Sequence, residues 1–332
     1  MKRLIATAAL IASVSLSGVS AATIEGTGAS FPYPVYKSWL TEYHKASGNQ
    51  VNYSPTGSGA GIQEISVRHV DFGGSDKPLK PSVLHKKKLW MFPTVVGAIT
   101  FAYNVPGVDK LKLSETAISG ILLGNIEYWD AATLKKDNPG VKLPHKKILF
   151  VHRSDKSGTT FNFTYYLSKM NSVWRRHYGA KKAINWPMKN RIAGKGNFGV
   201  SAGIKTNNYS IGYVDYADAV KNGLNMASVE DASGHYVEPE PAAFAKAAAS
   251  ANLDPKKDFY SIIAYPKKGY PIVAATFVLL PKEKTASNKS VVNFFDYAYK
   301  NGDKAAQKLG YVPLPDSVKQ KVRAYWSKKG IQ

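Results

Sequence analysis

Residues suited to holding an anion follow a short apolar segment in the middle of the chain. Arg153 carries a planar guanidinium that pairs with two oxygens at once, and Asp155 stands two residues later, where it can hold that group in place. Ser157, Gly158 and Thr159 come next, at the predicted start of a helix. Because a helix N-terminus has unpaired N–H groups and a partial positive charge, this stretch favours an anion site. By itself it is equally typical of a capped helix beside a surface ion pair.

Two other stretches repeat this arrangement. Ser30-Phe31 and Ser58-Gly59 each place a hydroxyl and free backbone N–H groups at a predicted helix start. Each is weak support when taken alone, because Ser and Thr are common N-cap residues. Three such stretches in one chain, one of them with Arg153, indicate a site that surrounds a small oxyanion with neutral dipoles.

The elements that carry these residues follow a repeated pattern. Residues 148–151 read as a buried strand, and Phe163, Tyr166, Leu167 and Met170 then recur at helical spacing. Similar strand–loop–helix units surround the two earlier stretches, with strands predicted at 51–53 and within 70–76. Recurrence of this unit predicts α/β domains with largely parallel sheets.

Two longer apolar runs, 93–103 and 270–280, stand on either side of a mid-chain block. If the chain leaves one domain at the first run and returns at the second, the first domain is built from both ends. We therefore predict one lobe from residues 22–95 and 275–332, a second lobe from 96–274, and a ligand cleft between them. Two helices are predicted near the C-terminus, separated by a break at Pro313 and Pro315.

The first residues have the features of a secretory signal peptide. Lys2 and Arg3 precede a short apolar core, and small residues follow, so we predict a signal peptide over residues 1–21 with cleavage near Ala21/Ala22. The core is too short for a stable bilayer span. Cysteine is absent, which excludes disulfides and a lipid on cysteine. We expect an exported, soluble protein of the periplasm.

The formal charge of +22 predicts attraction to anions in general, including phosphate, nucleic acid and lipid headgroups. The basic residues are scattered along the chain, which favours a generally basic surface over a dedicated nucleic-acid groove. A basic adhesin or nucleic-acid binder stays an alternative, because residues 174–178 interleave aromatic and basic side chains beside Lys181 and Lys182.

Signatures of an enzyme are weak. No Gly-x-Ser-x-Gly nucleophile motif surrounds Ser58 or Ser75, and no phosphate-binding loop with Gly-Lys-Ser/Thr occurs. The seven histidines show no paired ligand spacing. We therefore expect no enzyme, no metal and no cofactor, with a secreted phosphatase as the alternative from that class.

Several motifs, in order, closely resemble the periplasmic phosphate-binding proteins of high-affinity phosphate ABC transporters. They are residues 26–36, 70–76, 153–160, 194–197 and 314–318. The resemblance implies a two-lobed, type II-like periplasmic binding protein fold, with hinge strands joining lobes that each contain a mostly parallel sheet flanked by helices. It also implies a monomer that captures inorganic phosphate and delivers it to an inner-membrane ABC permease, with no nucleic acid expected.

The same resemblance implies a set of phosphate ligands, in which Ser30 acts through its hydroxyl, Phe31 through its backbone N–H, and Asp155 by pairing with Arg153. The ligands are Ser30, Phe31, Ser58, Asp76, Arg153, Ser157, Gly158 and Thr159. The chain departs from the family pattern twice. Ser30 stands where Thr is common, and Phe198 follows 194–197 where an acidic residue is common, which leaves the role of that loop open.

Asp76 is unexpected in an anion site until the proton on phosphate is considered. A carboxylate accepts a hydrogen bond from a P–O–H group, whereas sulfate has no proton to give near neutral pH. Sites built to bond a hydroxyl reject an analogue that lacks it by roughly 10⁴–10⁵, so Asp76 is predicted to select phosphate; a turn or cap role after Gly73-Gly74 is the alternative. Charge-assisted hydrogen bonds contribute about 1.5–3 kcal/mol each. Since micromolar binding needs about 8 kcal/mol, around eight such bonds leave a surplus after the ion has lost its water, and we predict micromolar or tighter affinity.

Overall fold

The computed structural model describes residues 23–332. The predicted signal peptide, residues 1–21 with its cleavage near Ala21/Ala22, lies outside the described residues. Within residues 23–332, no helix combines the length and the apolar composition that a bilayer crossing needs.

Thirteen strands occur in the described part of the chain. They are β1 (Thr23–Gly28), β2 (Gln50–Ser54), β3 (Phe72–Ser75), β4 (Leu89–Asn104), β5 (Lys112–Leu113), β6 (Leu149–Arg153), β7 (Arg191–Gly194), β8 (Ser210–Asp215), β9 (Asn225–Met226), β10 (Ser228–Glu230), β11 (Tyr236–Val237), β12 (Val273–Pro281) and β13 (Val312–Pro313).

The α-helices between them, together with a short 3₁₀ helix at Pro255–Lys257, flank these strands. They are α1 (Tyr33–Ser47), α2 (Ser58–Ser66), α3 (Pro81–Lys87), α4 (Glu115–Leu122), α5 (Ala132–Asp137), α6 (Gly158–Met170), α7 (Ser172–His177), α8 (Gly196–Thr206), α9 (Tyr216–Lys221), α10 (Pro241–Ala248), α11 (Thr285–Asn301), α12 (Asp303–Lys308) and α13 (Asp316–Lys328).

The main sheet has the strand order β2-β1-β3-β12-β4-β8-β6-β7, with β9 and β13 each pairing with β4. Its outer pairs are parallel on both sides: β1 with β2 and β3, and β6 with β7 and β8. The two central strands are antiparallel to each other and to β3 and β8. This is a mixed α/β architecture in which parallel units lie on either side of a long antiparallel pair.

The long apolar runs predicted from the sequence form that central pair. β4 and β12 are buried along most of their length, as expected for strands covered on both faces. The first part of β4 pairs with β12, and its second part pairs with β8. β4 therefore leads the chain from one set of parallel strands to the other.

Aromatic packing brings the two ends of the described chain together. The Phe295 ring on α11 lies 5.6 Å from the ring centroids of Tyr36 on α1, Phe72 on β3 and Phe92 on β4. Edge-to-face contacts of this kind add about 0.5–1.5 kcal/mol each beyond the burial of apolar area. The C-terminal helices thus cover the sheet that the N-terminal strands begin.

Most of the predicted elements occur with small shifts. The first helix begins at Tyr33, with Pro32 as its N-cap residue, slightly later than the predicted start at Ser30-Phe31. The C-terminal region contains α12 between the two predicted helices. The sequence did not predict this short helix because only Ala306 in it is buried, so it has no apolar periodicity.

Candidate anion-binding site

The candidate site includes the N-terminus of α6, and the structure places Ser157 at the start of this helix, where the sequence predicted a helix start. β6 ends at Arg153, and the loop after it leads to Ser157, whose hydroxyl caps the helix by accepting from the Thr160 N–H at 3.0 Å. The Ser157 hydroxyl hydrogen remains available to a ligand. Gly158 and Thr159, the first two residues of the helix, are buried, so their N–H groups lie in a low-dielectric environment.

Arg153 lies in the centre of the site with its side chain 1% exposed. Its Nε and Nη2 donate to the two oxygens of Asp155 at 2.7 and 2.6 Å, a bidentate pair. Burial alone would raise the pKa of Asp155, but the hydrogen bonds and charge of Arg153 outweigh it and hold that pKa below its usual value. Asp155 is therefore ionised and fixes the guanidinium, whose Nη1 points to the hydroxyl of Thr159 at 3.2 Å.

The loop between β1 and α1 meets the start of α8. Ser30 is buried, and its hydroxyl accepts from the backbone N–H of Asn197 at 3.1 Å. The Phe31 carbonyl accepts from the Tyr311 hydroxyl at 2.6 Å, which holds the loop in place. Within residues 23–332 no acceptor receives the Phe31 N–H, so that donor is left for a ligand.

Ser58, at the start of α2, joins the loop after β3 to α6. Its hydroxyl oxygen accepts from the N–H groups of Asp76 and Gly158 at 3.2 and 3.1 Å. Gly158 is required by this close approach, because a Cβ there would lie 2.3 Å from the Ser58 Oγ. The contact brings the second and third predicted segments against the fourth.

The Asp76 carboxyl is buried without a bonded cation among the described residues. It is 1% exposed, and its Oδ1 accepts from the Thr276 hydroxyl at 2.7 Å. Burial raises its pKa to about 7, although Thr276, Arg153 and Ser58 each act to lower it. The group therefore titrates in the range where phosphate itself gains and loses a proton.

A β-bulge positions the Thr276 side chain. The pairing of β12 with β4 shifts register between Thr276 and Phe277, so that Thr94 becomes the additional residue of β4. Bulges re-aim side chains and are frequent beside functional sites. Here the bulge coincides with the threonine that contacts Asp76.

All the sequence-predicted ligands lie in one buried cluster. Hydrogen bonds connect Ser30 through Asn197 to Arg153 and Thr159, and connect Gly158 through Ser58 to Asp76. The arrangement offers hydroxyl, N–H and guanidinium donors together with the Asp76 carboxyl, which is bonded to hydroxyl groups and to no cation. It is suited to a small oxyanion that carries a proton.

Asn197 is a member of the site that sequence reasoning left open. It is fully buried; its Oδ1 accepts from Arg153 at 3.2 Å, and its Nδ2 lies 3.3 Å from the Thr159 hydroxyl. Phe198, which gave the reason for doubt, is 47% exposed and lies outside the cluster. The motif 194–197 was the sequence signal that could have identified Asn197. Its role was left open because Phe198 follows the motif where an acidic residue is common.

The alternatives find less support. Residues 23–332 contain no group of three or more His, Asp or Glu side chains placed to hold a metal ion. Trp174, the first residue of the segment 174–178 considered for nucleic-acid binding, is 1% exposed within the core. Its ring face is therefore not available to stack on a base.

The chain matches known proteins over nearly its whole length. Residues 13–301 match the model of the PBP superfamily domain. A phosphate-binding protein PstS from Pasteurella multocida is 42% identical over 331 residues, covering 98% of this chain and 95% of that protein. The phosphate-binding protein PstS from Haemophilus influenzae is 41% identical, with coverage of 94% and 95%.

Solved structures give the same fold at lower identity. PfluDING, described as a high-affinity periplasmic phosphate-binding protein bound with phosphate, has a TM-score of 0.72 at 23% identity, covering 91% of this chain and 93% of that one. A phosphate-binding protein from Stenotrophomonas maltophilia has a TM-score of 0.68 at 20% identity, covering 92% and 94%. The length and level of the matches in sequence establish that this chain belongs to the PstS family of phosphate-binding proteins, within the PBP superfamily.

Proposed function

We propose that the protein is a periplasmic solute-binding protein that captures inorganic phosphate and delivers it to an ABC permease. The observation that carries this proposal is the buried cluster, in which Arg153 and several neutral donors surround the carboxyl of Asp76. Its relatives are named phosphate-binding proteins, and a structure of the same fold holds phosphate. An anion site made largely of N–H and O–H dipoles needs no metal or cofactor.

The proposed ligands are those predicted from the sequence, with Asn197 added. The hydroxyl hydrogens come from Ser30, Ser58, Ser157 and Thr159, and the N–H groups come from Phe31, Gly158 and Thr159, with the Gly158 N–H shared between the ion and the Ser58 Oγ. Arg153, held by Asp155, gives the positive charge, and Asp76 accepts a hydrogen bond from the ion. Asn197 orients Arg153 and Thr159 toward the same point.

Asp76 is proposed to distinguish phosphate from sulfate. When its carboxyl is ionised, it accepts from a P–O–H hydrogen that sulfate lacks, and an unprotonated oxygen in that place would repel it. The Thr276 hydroxyl donates to Oδ1 at 2.7 Å, whereas the Ser58 hydroxyl reaches Oδ2 only at 3.5 Å, so Oδ2 is the oxygen proposed to accept from the ion. This assignment gives a single carboxyl the main part in selectivity.

The two proposed lobes, 22–95 with 275–332 and 96–274, close over the ion. Contacts across the proposed boundary support a closed arrangement: the Gly59 N–H donates to the Lys156 carbonyl at 2.7 Å, and Asn197 donates to Ser30. Hinge closure of this type gives a permease two distinguishable states. We propose that the mature protein starts near Ala22, acts as a monomer, catalyses no reaction and binds no nucleic acid.

Isothermal titration of phosphate into purified, phosphate-free protein tests the proposal. We expect micromolar or tighter binding to the wild type and at least a roughly tenfold loss in Arg153→Ala, the size of one charge-assisted bond. Arg175→Ala removes the same charge from an exposed helix end and should bind as the wild type does. Unchanged affinity in Arg153→Ala would remove this residue from the site, and turnover of a chromogenic phosphate ester would favour the phosphatase alternative.

A further inference from the structure

Thr276 is the hydrogen-bond partner that β12 gives to Asp76. The antiparallel pairing of β12 with β3 sets Phe277 against Ser75, so the next position of each strand brings Thr276 opposite Asp76. Thr276 is fully buried, and its hydroxyl donates to the Asp76 Oδ1 at 2.7 Å. Because a hydroxyl has one hydrogen to donate, this donor is used by the carboxyl and is not free for a bound ion. Thr276 therefore acts on the ion only through Asp76.

Neighbouring groups hold Thr276 in this position. Its backbone carbonyl accepts from the Thr94 hydroxyl at 3.3 Å, and the Thr94 hydroxyl lies 2.8 Å from that of Tyr36 on α1. Thr94 is the additional residue of the bulge in β4, and all three side chains are buried. A β-branched side chain such as that of threonine also has few rotamers. The donor is thus fixed before any ion enters.

Other contacts of the Asp76 carboxyl are weaker or act from a distance. The Ser58 Oγ lies 3.5 Å from Oδ2, at the limit of a hydrogen bond. Burial is the largest influence on the pKa of Asp76 and raises it, whereas the hydrogen bond from Thr276 is the largest of those that lower it. The charge of Arg153 lowers the same pKa, and the charge of Asp155 raises it. Thr276 is therefore the main local support of the ionised carboxyl.

The other titratable groups near Asp76 do not replace this donor. Tyr36, Tyr53 and Tyr311 are buried, and burial raises their pKa values well above the usual value, so they stay neutral. Asp215, at the end of β8, is buried as well, and burial raises its pKa. Lys77, next in the chain, has its ammonium 4.8 Å from the centroid of a phenylalanine ring on α6. Within residues 23–332 none of these five side chains donates to the Asp76 carboxyl.

We propose that Thr276 is a specificity-determining residue: by donating to Oδ1 it holds Asp76 as an ionised acceptor, aims Oδ2 at the ion, and so favours phosphate over sulfate. The proposal rests on the proposed function, in which Asp76 accepts from a P–O–H group. Without the Thr276 hydroxyl, Asp76 would keep its proton to a higher pH.

A protonated carboxyl is a donor, and an unprotonated sulfate oxygen accepts from it. Phosphate is affected less, because the single proton between Asp76 and a phosphate oxygen serves the complex from either partner. Loss of the Thr276 hydroxyl should therefore raise sulfate affinity more than it changes phosphate affinity.

The test compares Thr276→Val, Thr276→Ser and the wild type. Valine has the shape of threonine without the hydroxyl and suits a strand, serine keeps the hydroxyl, and Thr276→Ala is the second variant should the valine variant not fold. Thr94→Val is the matched control, since it removes a buried hydroxyl from the same bulge without a contact to Asp76. Phosphate is titrated by calorimetry with and without excess sulfate, at constant ionic strength and at pH 6, 7 and 8.

At pH 8 we expect the phosphate-over-sulfate affinity ratio to fall at least about tenfold in Thr276→Val, the size of one hydrogen bond to a charged group. Thr276→Ser and Thr94→Val should keep the wild-type ratio. Sulfate binding should strengthen in the wild type as the pH falls through about 7, where Asp76 gains its proton, and the same rise should begin at a higher pH in Thr276→Val. Asp215 is present in every variant, so its titration cancels.

Two results would overturn the proposal: a wild-type ratio in Thr276→Val at every pH, or an equal fall of the ratio in Thr94→Val. Either of them, with phosphate binding intact in the wild type, removes Thr276 from selectivity and leaves the proposed function standing. A wild type that binds no phosphate would instead overturn the proposed function, and this inference with it.

Discussion

The surroundings of Asp76 and Asp155 shift the pKa values of these two carboxyls in opposite directions. Asp155 is bonded to Arg153 and stays ionised, whereas Asp76 is buried and bonded only to neutral groups, so its pKa is raised to about 7. Two carboxyls in one site thus have different roles because their surroundings differ. Asp155 holds the Arg153 guanidinium in place, and Asp76 is available to accept a hydrogen bond from a bound ion.

We propose that selectivity for phosphate over sulfate depends on the Asp76 carboxyl. Asp76→Asn keeps the size of the side chain but can present an N–H to an unprotonated oxygen, so we expect the phosphate-over-sulfate affinity ratio to fall at least about tenfold. Competition calorimetry with the two anions measures the ratio. A variant that still rejects sulfate as the wild type does would place selection elsewhere in the site.

The same group makes the stability of the phosphate-free protein depend on pH. Its pKa is higher in the folded state than the ordinary 3.8, so the folded protein holds the proton more tightly than the unfolded chain does. The stabilisation from this proton is complete below about pH 4 and is lost as the pH rises through about 7. Over that range it amounts to roughly 4 kcal/mol at most.

Asp76→Asn has no such proton, so we expect its unfolding free energy relative to the wild type to increase from pH 4 to pH 7. Denaturant titrations of both proteins at several pH values measure this difference. Asp215 and Asp218, whose pKa values burial also raises, are present in both proteins and cancel. A constant difference across this range would show that Asp76 is not the titrating group.

At the scale of elements, three helix N-termini converge on the candidate site. α2 contributes Ser58, α6 contributes Ser157, Gly158 and Thr159, and α8 contributes Asn197 in its first turn. The Asn197 side chain bridges Arg153 and Thr159, while its backbone N–H reaches Ser30. α8 therefore connects the Arg153 side of the site to the loop before α1.

The side chain of Asn197 is expected to contribute more to phosphate affinity than the side chain of Phe198. We expect Asn197→Ala to weaken phosphate binding about tenfold, since Arg153 and Thr159 lose their common partner. Phe198→Ala, a larger truncation one residue away on an exposed side chain, is the control and should leave affinity unchanged. Equal effects from the two, measured by calorimetry, would mean that α8 acts through its fold alone.

Local pattern was sufficient for part of this arrangement. The α6 unit was predictable because a buried strand, a polar loop and a helical apolar spacing follow one another within a short stretch. Tyr311 and Thr276 were not, since each reaches a residue more than 190 positions away and no local signal marks either. The position of Thr276 also depends on the bulge in the facing strand β4, which no periodicity in an apolar run reveals.

At the scale of the whole molecule, the candidate site lies where the two proposed lobes meet. Gly59 lies in α2 and approaches Lys156 so closely that a Cβ would fall 2.3 Å from the Lys156 Cβ. A Cβ on Gly57, two residues earlier, would lie 2.2 Å from the Asp155 Oδ2. Small residues at this contact let the two sides come together around the ion.

Gly59→Ala should separate folding from closure. Alanine favours the helix that Gly59 occupies, so we expect the melting temperature of the phosphate-free protein to be unchanged or higher. Phosphate affinity should fall at least about tenfold, a loss of roughly 1.4 kcal/mol, because the closed contact is blocked. Small-angle scattering should show a smaller phosphate-induced contraction than in the wild type, and a full contraction with wild-type affinity would show that this contact is not part of closure.

The central claim is that groups from both proposed lobes enclose one buried tetrahedral ion, and that Asp76 accepts a hydrogen bond from it. A crystal structure of the protein grown with phosphate tests it most directly. We expect a phosphate whose oxygens receive hydrogen bonds from Arg153, Ser58 and the Phe31 N–H, with one P–O–H oxygen about 2.5–2.7 Å from Asp76 Oδ2. A phosphate bound at the surface, or a closed protein whose cluster holds no ion at saturating phosphate, would contradict the account.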